Sequence, residues 1–224
     1  MLRISRLALA ILLILAVSAP SPGADKKKKR VPVLVNAGVT AELPSPAATT
    51  AAQKCENWAW AAGVETLLRS QDVQLDQHYW VQKSDGGEIC LETLASLEQL
   101  ARVVTGEYVI DVGRKVRLDA RYVLGAPTNL DSIILGLRRG QPALLVWKGH
   151  AYVIYGVVYD EYVSPTGHRF ADIREIKLID PFYAEDERRL VSFVRGRDHP
   201  ADIGGTFEIT ITPFLPTDWM HRDK

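Results

Sequence analysis

The chain has 224 residues, of which 47% are hydrophobic and 24% are charged, the composition of an ordinary globular protein. This length suits one domain, or at most two small ones. The formal net charge is zero, so composition gives no reason to expect nucleic acid or a strongly acidic molecule as a partner.

The amino terminus has the pattern of a secretory signal peptide. Arg3 and Arg6 precede an apolar run over residues 7–17, and small residues and prolines follow up to Ala24. Such a segment is typical of exported proteins, and the apolar run is too short to span a bilayer comfortably. We therefore predict a signal peptide over residues 1–24, a periplasmic or extracellular location, and no stable membrane span after its removal. An uncleaved anchor is the alternative.

Residues 25–52 are predicted to form an extended leader that wraps onto the body of the protein. Several prolines interrupt this segment, and a short strand is possible over residues 31–35. The main domain is predicted to occupy residues 53–224.

The first half of the main domain has the spacing of helices. Asn57 is a favourable N-cap residue, and segment 58–69 follows with helical character, since Ala61, Val64, Leu67 and Leu68 fall on one face. This helix is predicted to sit in the middle of the fold, where Gly63 permits close packing. Further helices are predicted over residues 75–83, 91–101 and 130–137, the last ended by Gly140.

After Gly140 the pattern changes to that of strands. Strands are predicted over residues 143–148, 151–161, 172–179, 190–194 and 206–212. A helical first half followed by an antiparallel second half indicates an α+β fold.

Three separated segments together carry a specific pattern. They are residues 53–62 (QKCENWAWAA), 148–156 (KGHAYVIYG) and 178–182 (LIDPF). In this order they resemble the papain-like cysteine peptidases. The similarity is greatest to a bacterial secreted and effector-type branch, whose signature is a glutamine followed, a few residues later, by Trp-Cys-Trp-Ala-Ala.

The resemblance implies a papain-like fold, in which a central helix packs on a barrel-like antiparallel sheet, and it assigns roles to individual residues. Gln53 matches the glutamine that donates to the oxyanion in this family. His150 matches the base, and Asp180 matches the residue that orients it. Gly149, directly before the histidine, lets the chain bend and a ligand approach.

The resemblance also shows that the nucleophile is missing. Ala59 stands where the family has its cysteine, between Trp58 and Trp60, which flank that position and are predicted to line the cleft. A methyl group cannot attack a carbonyl, so the resemblance implies an inactive peptidase-like protein that binds peptide or a partner protein in the cleft. Two alternatives are an engineered cysteine-to-alanine form of an active peptidase and an interaction module in which His150 and Asp180 are relics.

The two cysteines, Cys55 and Cys90, form an even pair, which in an exported chain predicts one disulfide. The resemblance agrees, because papain-like enzymes keep a structural disulfide cysteine near the position of Cys55. A free Cys55 acting as a displaced nucleophile is the alternative. No cofactor and no metal site are predicted, because histidines and cysteines lack the spacing of metal ligands.

Overall fold

A computed structural model describes residues 31–45, 50–87, 90, 96–182 and 190–214. The predicted signal peptide over residues 1–24 lies outside the described residues, and so do residues 91–95 of the third predicted helix.

The described residues form four helices and eight strands. The helices are α1 (Ala59–Arg69), α2 (Gln77–Asp85), α3 (Leu97–Val104) and α4 (Asp131–Arg138). The strands are β1 (Val33–Glu42), β2 (Gly106–Val109), β3 (Lys115–Leu124), β4 (Ala143–Trp147), β5 (His150–Val163), β6 (Arg169–Ile179), β7 (Leu190–Val194) and β8 (Ile203–Pro213). None of the four described helices has the length and apolar character that crossing a membrane requires.

All eight strands belong to one antiparallel sheet. Its order is β2-β3-β8-β4-β5-β6-β7. Strand β4 pairs with residues 150–154 of β5, and β1 pairs with residues 156–163 of the same strand. The α+β class is therefore confirmed. Within the described residues the sheet is open rather than barrel-like, because β2 and β7 stand at its two ends and do not pair with each other.

Helices cover both faces of the sheet. Successive side chains of a strand point to opposite faces, and in β4 the buried Leu144 joins the core formed with α1, α2 and α3, whereas Leu145 joins the core formed with α4. Helix α1 lies close to the strand because Gly63 has no side chain. A Cβ atom built on Gly63 would lie 2.7 Å from Cδ2 of Leu144.

Local hydrogen bonds explain where the first helices begin. Helix α1 starts after Trp58 without a side-chain cap, so the prediction of Asn57 as its N-cap was wrong. Helix α2 starts later than predicted because the Oδ1 atom of Asp76 accepts a hydrogen bond from the backbone N–H of Tyr79 at 3.0 Å. Gly86, with a φ of 75°, ends it.

The leader contributes a full strand to the sheet. The short strand predicted over residues 31–35 overlaps the start of β1, which begins at Val33, continues to Glu42 and pairs antiparallel with β5. No prediction was made for residues 106–124, which form β2 and β3.

Candidate functional site

A tight hairpin between β4 and β5 positions His150. Trp147 pairs with His150 across the hairpin, and Lys148 and Gly149 form the two-residue turn, with φ values of 52° and 78°. Positive φ at both central residues is the mark of a type I′ turn, which favours glycine at the second position. Gly149 is therefore needed for the turn that starts β5 at His150.

Asp180 holds the imidazole from the neighbouring strand. It follows β6 directly, and the antiparallel pairing of β5 with β6 brings the start of one strand to the end of the other. Oδ1 of Asp180 lies 2.8 Å from Nε2 of His150 and also accepts the backbone N–H of Phe182 at 2.9 Å. A carboxylate only accepts hydrogen bonds. Nε2 therefore carries the ring proton in the neutral imidazole, and Nδ1 is the atom that can take up a proton.

Ala59 and His150 line the same cavity. Ala59 is the first residue of α1 and is buried, and the cavity beside it has a volume of about 460 Å³. Most of its wall is apolar and comes from Trp60, Leu97, Leu100, Leu124, Leu144 and Val146. Glu56, Asn57 and Ser96 contribute polar atoms. The site thus combines an oriented imidazole with an apolar pocket.

Gln53 lies next to the segment that carries Asp180. Its backbone N–H donates to the carbonyl of Pro181 at 3.0 Å, so the first and third sequence segments meet. Its side-chain Nε2 donates to the carbonyls of Cys55 at 3.1 Å and Glu56 at 2.9 Å. The side-chain amide therefore bonds within its own loop. In this conformation Gln53 braces that loop, and its predicted role as oxyanion donor stays a prediction.

The side chain of Gln77 fixes the backbone on both sides of Gln53. Its Nε2 donates to the carbonyl of Ala52 at 2.9 Å, and its Oε1 accepts the N–H of Lys54 at 2.8 Å. The buried carboxylate of Glu65 in turn accepts from both the backbone N–H and Nε2 of Gln77, each at 3.1 Å. This pair was not predicted from the sequence, because Glu65 and Gln77 belong to different helices.

The two tryptophans beside Ala59 have different surroundings. Trp60 lines the cavity together with Gly149. Trp58 is not part of the cavity wall and packs edge-on against the ring of His78, with centroids 5.0 Å apart. Of the predicted cleft residues, Trp60 and Gly149 are therefore at the cavity, whereas Trp58 is a buried core residue that does not line it.

The predicted disulfide between Cys55 and Cys90 is confirmed, with their Cα atoms 5.9 Å apart. While this bridge is intact, Cys55 has no thiol that could ionise and cannot serve as a displaced nucleophile. Within the part of the chain that the structure describes, no group of three or more His, Cys, Asp or Glu residues could hold a metal ion.

The arrangement places an imidazole in hydrogen-bond contact with a carboxylate, and the first residue of α1 is an alanine. A methyl group cannot act as a nucleophile, so an acyl-enzyme cannot form at Ala59. No protein-family model matches the chain, and a search of the curated proteins found no match.

Proposed function

We propose that this chain is an exported papain-like cysteine-peptidase homologue that has lost its nucleophile and binds peptide or protein in the cavity beside Ala59 and His150. The observation that carries the proposal is the 2.8 Å contact between His150 Nε2 and Asp180 Oδ1. His150 lines a cavity that is also lined by Ala59, the first residue of the buried helix α1. The nucleophile, the base and the orienting residue of that family follow one another along the chain in the order that Ala59, His150 and Asp180 have here.

The local structure around Asp180 supports a role beyond turn formation. A turn needs only the contact between its carboxylate and the N–H of Phe182. The same oxygen also holds the His150 ring, although burial of a carboxylate costs free energy. An oriented imidazole at a cavity wall is what acid–base chemistry and polar recognition require.

The cavity wall favours a ligand with an aliphatic or aromatic side chain. A volume of about 460 Å³ lies within the range of small-ligand sites and can accept such a side chain. Burying it would stabilise the complex by about 1.5–3 kcal/mol. The disulfide is compatible with an oxidising compartment, which supports export.

Restoring the thiol tests the peptidase ancestry. In Ala59→Cys, a thiol at the start of α1 could transfer its proton to Nδ1 of His150, and Asp180 would stabilise the resulting imidazolium. We expect this variant to cleave an unfolded polypeptide and to lose that activity on thiol alkylation. Ala62→Cys, which places a thiol inside the same helix, is the matched control and should stay inactive.

Binding is tested separately on the full chain. Asn57→Trp should fill part of the cavity and weaken the binding of a labelled unfolded polypeptide, whereas Gln82→Trp on the exposed side of α2 should not. Turnover by the wild-type protein that alkylation abolishes would contradict the proposed loss of activity. Equal binding by both tryptophan variants would contradict the proposed cleft.

A further inference from the structure

The outer edge of β3 is open where the strand approaches the cavity. Strand β8 pairs with β3 over residues 116–124, whereas β2 pairs only with residues 115–118. Among the described residues no strand lies beside residues 119–124 on the side away from β8.

Backbone groups at this edge point outward. The N–H of Ala120 donates to Oγ1 of Thr105 at 3.2 Å, and Thr105 directly precedes β2, so this N–H points away from β8. Backbone groups alternate in direction along a strand, and the pairing of β3 with β8 has no irregularity here. The N–H and C=O groups of Tyr122 and Leu124 therefore also point away from β8.

The last three side chains of this edge are apolar and exposed, after the charged Asp119 and Arg121. Tyr122, Val123 and Leu124 expose 37%, 50% and 67% of their surface. Soluble proteins usually protect an open edge with charges, proline or bulges, because such an edge can pair with another chain. Leu124 also lines the cavity that contains Ala59 and His150, so the edge leads into the site.

An exposed apolar edge on β1 lacks these properties. Val33, Leu34 and Val35 are exposed there, but the pairing of β1 with β5 is irregular around Asn36. No residue of β1 lines the cavity. Regular backbone direction and continuity with the cavity therefore distinguish the edge of β3.

We propose that the edge at residues 122–124 binds an extended segment of the polypeptide ligand as an added strand, with a neighbouring apolar side chain of that ligand entering the cavity past Leu124. This inference rests on the proposed function and names the form of its ligand. Backbone pairing gives affinity that does not depend on ligand sequence, and the cavity selects the side chain.

A proline at Tyr122 tests the backbone contact in the full chain. Proline lacks the N–H but is tolerated on an edge strand whose N–H faces outward. With fluorescein-labelled, reduced and carboxymethylated α-lactalbumin as the probe, Tyr122→Pro should raise the Kd about tenfold, the effect of losing a hydrogen bond and its geometry. Tyr122→Ala keeps the N–H and is the matched control, with an expected change of less than about threefold.

Hydrogen exchange on the wild-type protein gives a second readout that does not depend on the folding of a variant. Saturation with the same probe should slow exchange of the Tyr122 and Leu124 amides. The edge proposal alone would be overturned if the probe bound the wild-type protein without protecting these amides, bound Tyr122→Pro equally well and failed to bind Asn57→Trp. Absence of binding by the wild-type protein would overturn the proposed function as well.

Discussion

His150 and Asp180 are separated by 30 residues in the sequence, yet Nε2 of the histidine lies 2.8 Å from Oδ1 of the aspartate. The pairing of β5 with β6 creates this contact, because antiparallel strands bring the first residue of one close to the residue that follows the other. This contact fixes the Nε2 side of the imidazole ring in the protein without a ligand. Such preorganisation is what a recognition or catalytic site needs.

Asp180 should determine the tautomer of His150. The carboxylate accepts at Nε2, so the neutral ring should carry its proton on Nε2 and leave Nδ1 bare. Long-range ¹H–¹⁵N correlation spectra report the protonation of each ring nitrogen. We expect the Nε2–H form for the wild-type protein and a mixture of the two tautomers for Asp180→Leu.

Asp180→Asn is the matched control, since its amide oxygen can still accept from Nε2, and it should retain the Nε2–H form. His168 lies on an exposed turn and serves as an internal reference in the same spectra. A His150 ring that keeps a single Nε2–H tautomer in Asp180→Leu would show that another group orients it.

Much of the fold was predictable because its signals are local. Strand β7 has the predicted bounds, Leu190–Val194, and α4 matches the predicted helix closely, because each combines an apolar pattern with clear end signals. Strand β3 carries a similar signal, since the buried Val116 and Leu118 alternate with the charged Arg117 and Asp119, but it received no prediction. The sheet predicted from the sequence therefore lacked this strand.

The site was predictable only in part, because some of its geometry depends on distant elements. The motif placed Ala59 and His150 at one cavity. It could not predict that the side-chain amide of Gln53 bonds within its own loop, because this depends on the rotamer that the loop allows. Nor could it predict the contacts of Gln77, which depend on where α2 lies relative to the residues around Gln53.

Gln77 should be essential for the stability of the loop that contains Gln53. Gln77→Ala would leave the carbonyl of Ala52 and the N–H of Lys54 without their partner and remove one donor to the carboxylate of Glu65. Because polar groups at least partly shielded from water are costly to leave without a partner, we expect a loss of about 2–4 kcal/mol in the free energy of unfolding, measured with urea.

Hydrogen exchange would locate this effect. The amide of Lys54 should exchange faster in Gln77→Ala than in the wild-type protein, because its acceptor is gone. Gln82→Ala, on the exposed side of the same helix, is the control and should change neither quantity. An unchanged Lys54 amide would contradict the assigned role of Gln77.

The close approach of α1 to β4 should make Gly63 intolerant of a side chain. Alanine would gain about 1 kcal/mol of helix propensity, but its Cβ would press on Leu144, and overpacking in a core costs about 1–3 kcal/mol. We expect Gly63→Ala to lower the free energy of unfolding by roughly 1 kcal/mol.

A double variant separates this contact from other effects of the added methyl group. Leu144→Ala should lose about 2–5 kcal/mol through the cavity it creates. In the combination with Gly63→Ala, the new methyl group would occupy part of that cavity, so the double variant should be more stable than Leu144→Ala alone. Additive losses would indicate that the two positions do not press on each other.

Asp160 should make the attachment of β1 sensitive to acid. The backbone N–H of Gly38 in β1 donates to Oδ1 of Asp160 at 2.8 Å, and this bond, with the contact to Arg174 at 2.7 Å, lowers the pKa of the carboxyl against the opposing effect of burial. Because the pKa is lower in the folded state, the carboxylate stabilises the fold at pH values above the ordinary pKa of 3.8. This contribution is lost as the pH falls below 3.8 and through the folded-state pKa.

Asp160→Asn should therefore unfold at a lower urea concentration than the wild-type protein at pH 7, and the difference should shrink at pH 3. Asp119→Asn, which removes an exposed pair with Arg117, should change the midpoint little at either pH. A difference for Asp160→Asn that stays constant between pH 7 and pH 3 would show that the carboxylate charge does not hold β1 in place.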